Sequence, residues 1–153
     1  MTAQATESLI FRDEKLSLCD TPLTDFFWLS GRASPFKAPH TALWRGYIGT
    51  WEITEQRIYI IALTGWLDGG RHVDLSFLFP EHPKRVFAHW VTGTLRATRG
   101  KQLKYVHRGF ASVYEQDVFF EFDDGFLKSV KVRDNTTTTA ENDSHKANLF
   151  SQY

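Results

Sequence analysis

Cysteine is almost missing from this chain: Cys19 stands alone among 153 residues. One thiol forms no internal disulfide and does not make a structural zinc site, which draws on several Cys and His ligands. An excess of one charge is also missing, because 18 Lys and Arg balance 18 Asp and Glu. Dedicated nucleic-acid binders carry a surplus of cations, so the overall charge does not describe one. Long apolar runs are absent too. The longest, Ile58 to Leu63, falls far short of the roughly 20 residues a membrane helix needs and reads as a buried strand. Met1 to Ser8 holds no basic start followed by an apolar stretch, so no leader is expected and the expected location is cytoplasmic. No spacing matches paired His on a helix, a glycine-rich phosphate loop or a strand-turn-helix nucleophile, and neither a cofactor nor a metal is expected.

Aromatic residues, by contrast, are abundant: 13 Phe, 5 Trp and 5 Tyr. Rings and β-branched residues suit a pleated, half-buried surface, which tilts the chain toward strands. The expected fold is mainly β, an antiparallel sandwich or partly open barrel with one or two short helices. Residues 1–134 read as a single β-rich domain. From Asn135 to the end the sequence is too polar to offset its ordering entropy, so 135–153 is expected to be a disordered tail.

Punctuation along the chain divides this domain into elements. Asp13-Glu14-Lys15 interrupts two short apolar stretches between Ser8 and Leu18, which predicts a hairpin at a sheet edge. Thr21 before Pro22, with Gly31 beyond Leu29, predicts a short helix over Pro22 to Leu29. Ala42 to Ile53 and Arg57 to Trp66 form a central hairpin in which Ile53 pairs with Ile58, Trp51 with Ile60, and Gly49 with Ala62. Gly46 and Gly49 then leave room for the rings of Trp44 and Trp51. Asp74 is positioned to cap a helical turn reaching Phe79. Arg85 to Thr98 reads as a long strand that turns at Arg99-Gly100-Lys101 into Gln102 to His107, setting Arg96 opposite Lys104. Asp123-Asp124-Gly125 suits a three-residue loop in which Phe122 opposes Phe126. That register puts Val118, Phe120, Val130 and Val132 on one face and pairs Asp117 with Lys131 and Glu115 with Arg133 on the other.

Overall neutrality hides a separation of charge. Between His82 and Tyr114 lie seven cations, Lys84, Arg85, Arg96, Arg99, Lys101, Lys104 and Arg108, and no carboxylate. Trp90 and Tyr105 are interleaved with them. Cations that attract and rings that supply contact area are what an acidic partner needs, whether an acidic protein surface or a nucleotide or nucleic acid. The leading expectation is therefore a non-catalytic binding protein using these nine residues. A plainer reading pairs the same cations with the ten carboxylates before His82 and the eight after Tyr114, leaving a mixed solvated surface.

Two further readings stand beside it. A small hydrolase-like or metal-dependent enzyme would gather His72, His89, His107 and Glu115 in one cleft. Gly49-Thr50-Trp51 is similar to the glycine–x–tryptophan start of calycin barrels, the lipocalin and fatty-acid-binding group. There the motif lies on the first strand, whereas here a helix and two strands precede it. The resemblance implies a carrier of small ligands, while the residues themselves read Trp51 as a core ring.

Overall fold

In the computed structural model, which describes residues 2–136 and 150–152, tight hairpins set the architecture. Strands β1 (Glu7–Phe11) and β2 (Glu14–Leu18) turn at Arg12-Asp13. β3 (Tyr47–Thr54) and β4 (Arg57–Trp66) turn at Glu55-Gln56. β8 (Val113–Asp123) and β9 (Phe126–Asp134) turn at Asp124-Gly125. Both central residues of each turn have positive φ, between +49° and +83°. Two-residue turns of this kind match the right-handed twist of their strands, and that fit outweighs the cost of placing Arg, Asp, Glu and Gln in the left-handed region. The remaining elements are α1 (Pro22–Ser30), a 3₁₀ turn (Asp68–Gly70), β5 (His72–Val73), α2 (Leu75–Leu78), β6 (Val86–Phe87), β7 (Gly93–Lys104) and β10 (Phe150–Gln152).

These strands form one mixed sheet in the order β10-β9-β8-β7-β2-β1-β3-β4-β5, with β6 on β4, and a further pairing of β9 with β4 curls it into a ring. The class expected from the sequence, mainly β as a sandwich or partly open barrel with one or two short helices, is thus observed, with the sheet curling into a ring. One pairing departs from a purely antiparallel sheet, since β1 runs parallel to β3. That pairing also places β1 between β2 and β3 rather than at an edge.

Alternation along each strand fills the ring. Leu9, Leu18, Trp51, Ile58, Ile60, Ala97, Val118 and Phe120 are fully buried in a continuous core. α1 packs Leu23 and Phe27 onto this core beside Phe36 and Tyr47. Its C-cap is Gly31 at φ +69°, and Asp74 caps α2 by accepting from Ser76 N–H, as the sequence predicts.

Bulges account for the registers that the sequence misplaces. Ile53↔Ile58 and Trp51↔Ile60 hold, but the ladder then steps to Thr50↔Ala62 and Gly49↔Leu63. Skipping Ile61 turns Leu63 inward, where a regular ladder would have turned Ala62. The last hairpin uses the two-residue turn, and a bulge at Lys128 restores the core face, giving Val118↔Val132 and Phe120↔Val130. Asp117 therefore pairs with Arg133 instead of Lys131.

The hairpin expected over 85–107 does not form. Residues 86–87 join β4, and residues 93–104 are one strand that pairs with β8, Arg96 opposite Phe119, and on its other edge with β2. Gly100 lies inside β7 at φ +88°. Of the predicted tail, residues 137–149 and 153 lie outside the described residues.

Candidate functional site

β7 and β8 are regular up to Arg99↔Gln116 and irregular beyond it, with Gln102↔Tyr114 and Lys104↔Val113 as the next pairs. Six residues of β7, from 99 to 104, thus face four of β8, and the surplus bows outward. Glu115 holds the first irregularity: its Oε1 accepts from Lys101 N–H at 2.6 Å. A Cβ on Gly100 would lie 2.6 Å from that same oxygen, so the bulge needs a residue without one. The result is an arm in which residues 100–105 are all exposed.

Beyond Lys104 the chain folds back over the outer face of the sheet. Ser112 Oγ accepts from Val106 N–H at 2.9 Å, and Gln4 N–H donates to the Gly109 carbonyl at 2.9 Å. Arg96 supports this return from beneath, donating to the carbonyls of Phe110 at 3.0 Å and Ser112 at 3.3 Å. Its Nε is held by Asp117 Oδ1 at 2.9 Å. Asp117 Oδ2 accepts from Arg133 Nη2 at 2.6 Å and Asn135 Nδ2 at 3.1 Å. Burial pushes the Asp117 carboxyl up, but the hydrogen bonds from Asn135, Arg133 and Arg96 outweigh it and hold the group below its ordinary value.

The nine proposed binding residues therefore separate into distinct environments. Arg96 is engaged as described, and Arg99 is bidentate to Glu14, at 2.8 and 2.9 Å, with Gln116 on its Nη1. Arg85 stacks over Tyr59, 4.2 Å from the ring centroid. Trp90 is packed between Phe26 and Trp51 and donates from Nε1 to the Pro22 carbonyl at 2.8 Å. Lys84 is exposed in the loop before β6, away from the arm in sequence and topology. Four lie close in sequence, at the end of β7 and just beyond it: Lys101, Lys104, Tyr105 and Arg108, all exposed. Among the described residues no carboxylate lies within ion-pair distance of Lys101, Lys104 or Arg108. Tyr105 is 55% exposed, and its hydroxyl meets His107 Nδ1 at 2.7 Å, which fixes the ring. Leu103, between Lys101 and Tyr105 in the chain, is 48% exposed, and a reading of charge alone does not single it out.

The four candidate catalytic residues do not converge. His72 lines a surface depression of about 530 Å³ with Thr64, Asp74, Ser76 and Phe77. His89 sits edge-on to Trp90. His107 meets Tyr105, and Glu115 holds the Gly100 bulge beside a depression of about 310 Å³ that also borders Arg99 and Asp134. No hydrogen bond joins any two of the four among the described residues.

Trp51 belongs to a buried polar cluster that the sequence did not reveal. Glu7 accepts from Trp51 Nε1 at 3.0 Å on one oxygen, and on the other from Gly49 N–H at 2.8 Å and Arg45 Nη2 at 2.9 Å. A Cβ on Gly49 would lie 2.7 Å from Glu7 Oε1. The room that Gly49 leaves therefore serves a carboxylate as well as the Trp51 ring. Gly46 does not serve Trp44 in this way: it faces the Lys37 backbone, and Trp44 is 52% exposed.

Fold and surface together define a filled β-ring with an exposed segment, residues 100–105, bowing from its wall. Compared with known families, curated proteins and solved structures, the chain matches none of them.

Proposed function

We propose that this chain is a non-catalytic binding protein whose arm, residues 101–108, docks on an acidic protein surface. The observation that carries this reading is the largely exposed run from 101 to 108, in which Lys101, Lys104 and Arg108 have no side-chain ion pair among the described residues and are interleaved in sequence with the exposed Leu103 and Tyr105. The cations would steer the encounter and select against cationic partners. Tyr105, with its hydroxyl already committed to His107, and Leu103 would supply the contact area that holds the complex.

An acidic protein is favoured over nucleic acid because the whole chain carries no net charge. Long-range attraction to a polyanion is correspondingly weak, and three cations beside an apolar residue suit a compact acidic patch. The five other binding candidates, Lys84, Arg85, Trp90, Arg96 and Arg99, have no direct part in this contact. Arg96 and Glu115 shape the arm instead.

Fluorescence-detected binding of labelled polyglutamate to the full chain, compared with a short thymidine oligonucleotide, tests the proposal. Polyglutamate should bind, and the combined substitution Lys101→Glu, Lys104→Glu and Arg108→Glu should weaken it about tenfold or more. Unchanged affinity in that variant would remove the assignment. Tighter binding of the oligonucleotide, with a steep loss between about 50 and about 200 mM salt, would replace the protein partner with nucleic acid.

A further inference from the structure

The ring does not close along the whole of its seam. β9 meets β4 at the single pair Arg57↔Phe126, flanked by the bonds Ile58 N–H to Gly125 and Leu127 N–H to Gln56. Past the Lys128 bulge, β9 runs on without β4. Asn135 N–H donates to the Glu115 carbonyl, so the odd-numbered residues at this end of β9 bond to β8. In an antiparallel ladder the alternate residues, Val130, Val132 and Asp134, then direct their peptide groups to the opposite edge. That edge is taken in part by the chain's own β10, in the register Phe150↔Arg133, Ser151↔Val132 and Gln152↔Lys131.

We propose that the outer edge of β9, residues 128–134, is a strand-acceptor site for an extended acidic segment of a second polypeptide, and that residues 150–152 hold it in reserve. Among the described residues, three of β10 pair with this seven-residue edge, at Lys131, Val132 and Arg133. A strand spanning residues 128–134 would add main-chain hydrogen bonds beyond those three described pairs. Lys128 and Lys131 are both exposed, and among the described residues neither has an ion-pair partner. Lysines on an open edge disfavour indiscriminate pairing, whereas a carboxylate opposite Lys131 relieves that penalty. The tethered occupant competes at a high effective concentration, so a partner gains the edge only when it binds more strongly than this short strand. The proposal is independent of the arm.

A labelled peptide with the sequence of residues 147–153 is the probe, measured by anisotropy against the full chain and its Ser151→Pro and Ser151→Ala variants. Proline removes the N–H opposite Val132, whereas alanine keeps it. The peptide should bind Ser151→Pro about tenfold or more tightly than either the unmodified chain or Ser151→Ala. A peptide with Gln152→Glu should bind that variant more tightly than one with Gln152→Lys. Equal affinities for all three proteins, or a preference for the lysine peptide, would overturn the proposal. So would a concentration-dependent dimer of Ser151→Pro that binds no peptide, which would assign the edge to a second copy. The arm variant with three charge reversals should bind the peptide as the unmodified chain does, which keeps failure at either site distinguishable.

Discussion

Replacing Glu7 by alanine is expected to lower the free energy of unfolding by about 3–5 kcal/mol, the largest effect of any polar substitution in the ring. The Glu7 side chain is fully buried, and that of its partner Arg45 is only 10% exposed. Every contact to its two oxygens comes from a donor: Trp51 Nε1–H, Gly49 N–H and the Arg45 guanidinium. That is the environment of an ionised carboxylate. Alanine would strand all of these donors in a space without acceptors, and leave the guanidinium buried and unpaired. Glu7→Gln keeps the volume and one acceptor oxygen but presents an NH₂ group to a donor, so its cost should be intermediate. Urea unfolding of the three proteins measures both. A loss below about 1 kcal/mol for Glu7→Ala would place the cluster among surface ion pairs in energetic terms.

Asp117→Ala is the second large effect, expected at about 2–3 kcal/mol. The carboxylate itself is 2% exposed, but Arg96 and Arg133 are 27% and 31% exposed and recover some hydration when released, so the cost falls below that of Glu7. The consequence reaches the arm. Without Asp117, Arg96 loses its anchor beneath the Phe110 and Ser112 carbonyls, and hydrogen exchange at the Val106 and Ala111 amides should quicken. Acid dependence separates the two carboxylates. Asp117 titrates below its unfolded value of 3.8, so its contribution is present above that pH and is lost as pH falls through its folded pKa. Glu7 is raised above 4.5, chiefly by burial, so its titration favours folding most below that pH, and the advantage disappears as pH rises through its folded pKa. Asp117→Asn should therefore flatten the loss of stability below about pH 4, whereas Glu7→Gln should not.

Local chemistry made much of the fold legible. Pro22 and Gly31 bounded α1, Asp74 capped α2, and Ile53 with Ile58 fixed one end of the central hairpin. The bulges were not legible, because one extra residue reverses the face of everything beyond it without leaving a compositional mark. Ile61 and Lys128 are ordinary strand residues at the positions where the ladders slip. Gly100 illustrates a different ambiguity. A glycine flanked by cations serves a turn or a bulge equally well, and the choice depends on Glu115, fifteen residues later, reaching the Lys101 amide.

Charge separation was visible in the sequence, but charge compensation was not. Arg96 and Arg99 find Asp117 and Glu14 only through the β7–β8 and β2–β7 pairings, which no local pattern specifies. The basic segment consequently contracts to its last third. Glu7 was missed for a similar reason: nothing near residue 7 announces Arg45, Gly49 and Trp51, which the parallel β1–β3 pairing brings to it.

The most direct measurement sets an engaged cation against unpartnered ones, reading polyglutamate affinity and thermal stability on the same samples. Lys101→Glu, Lys104→Glu and Arg108→Glu together should cost about tenfold or more in affinity with little change in melting temperature. Arg99→Gln should do the reverse, lowering stability while affinity stays within about twofold. An equal or greater affinity loss from Arg99→Gln, or none from the triple reversal, would contradict a binding surface confined to residues 101–108.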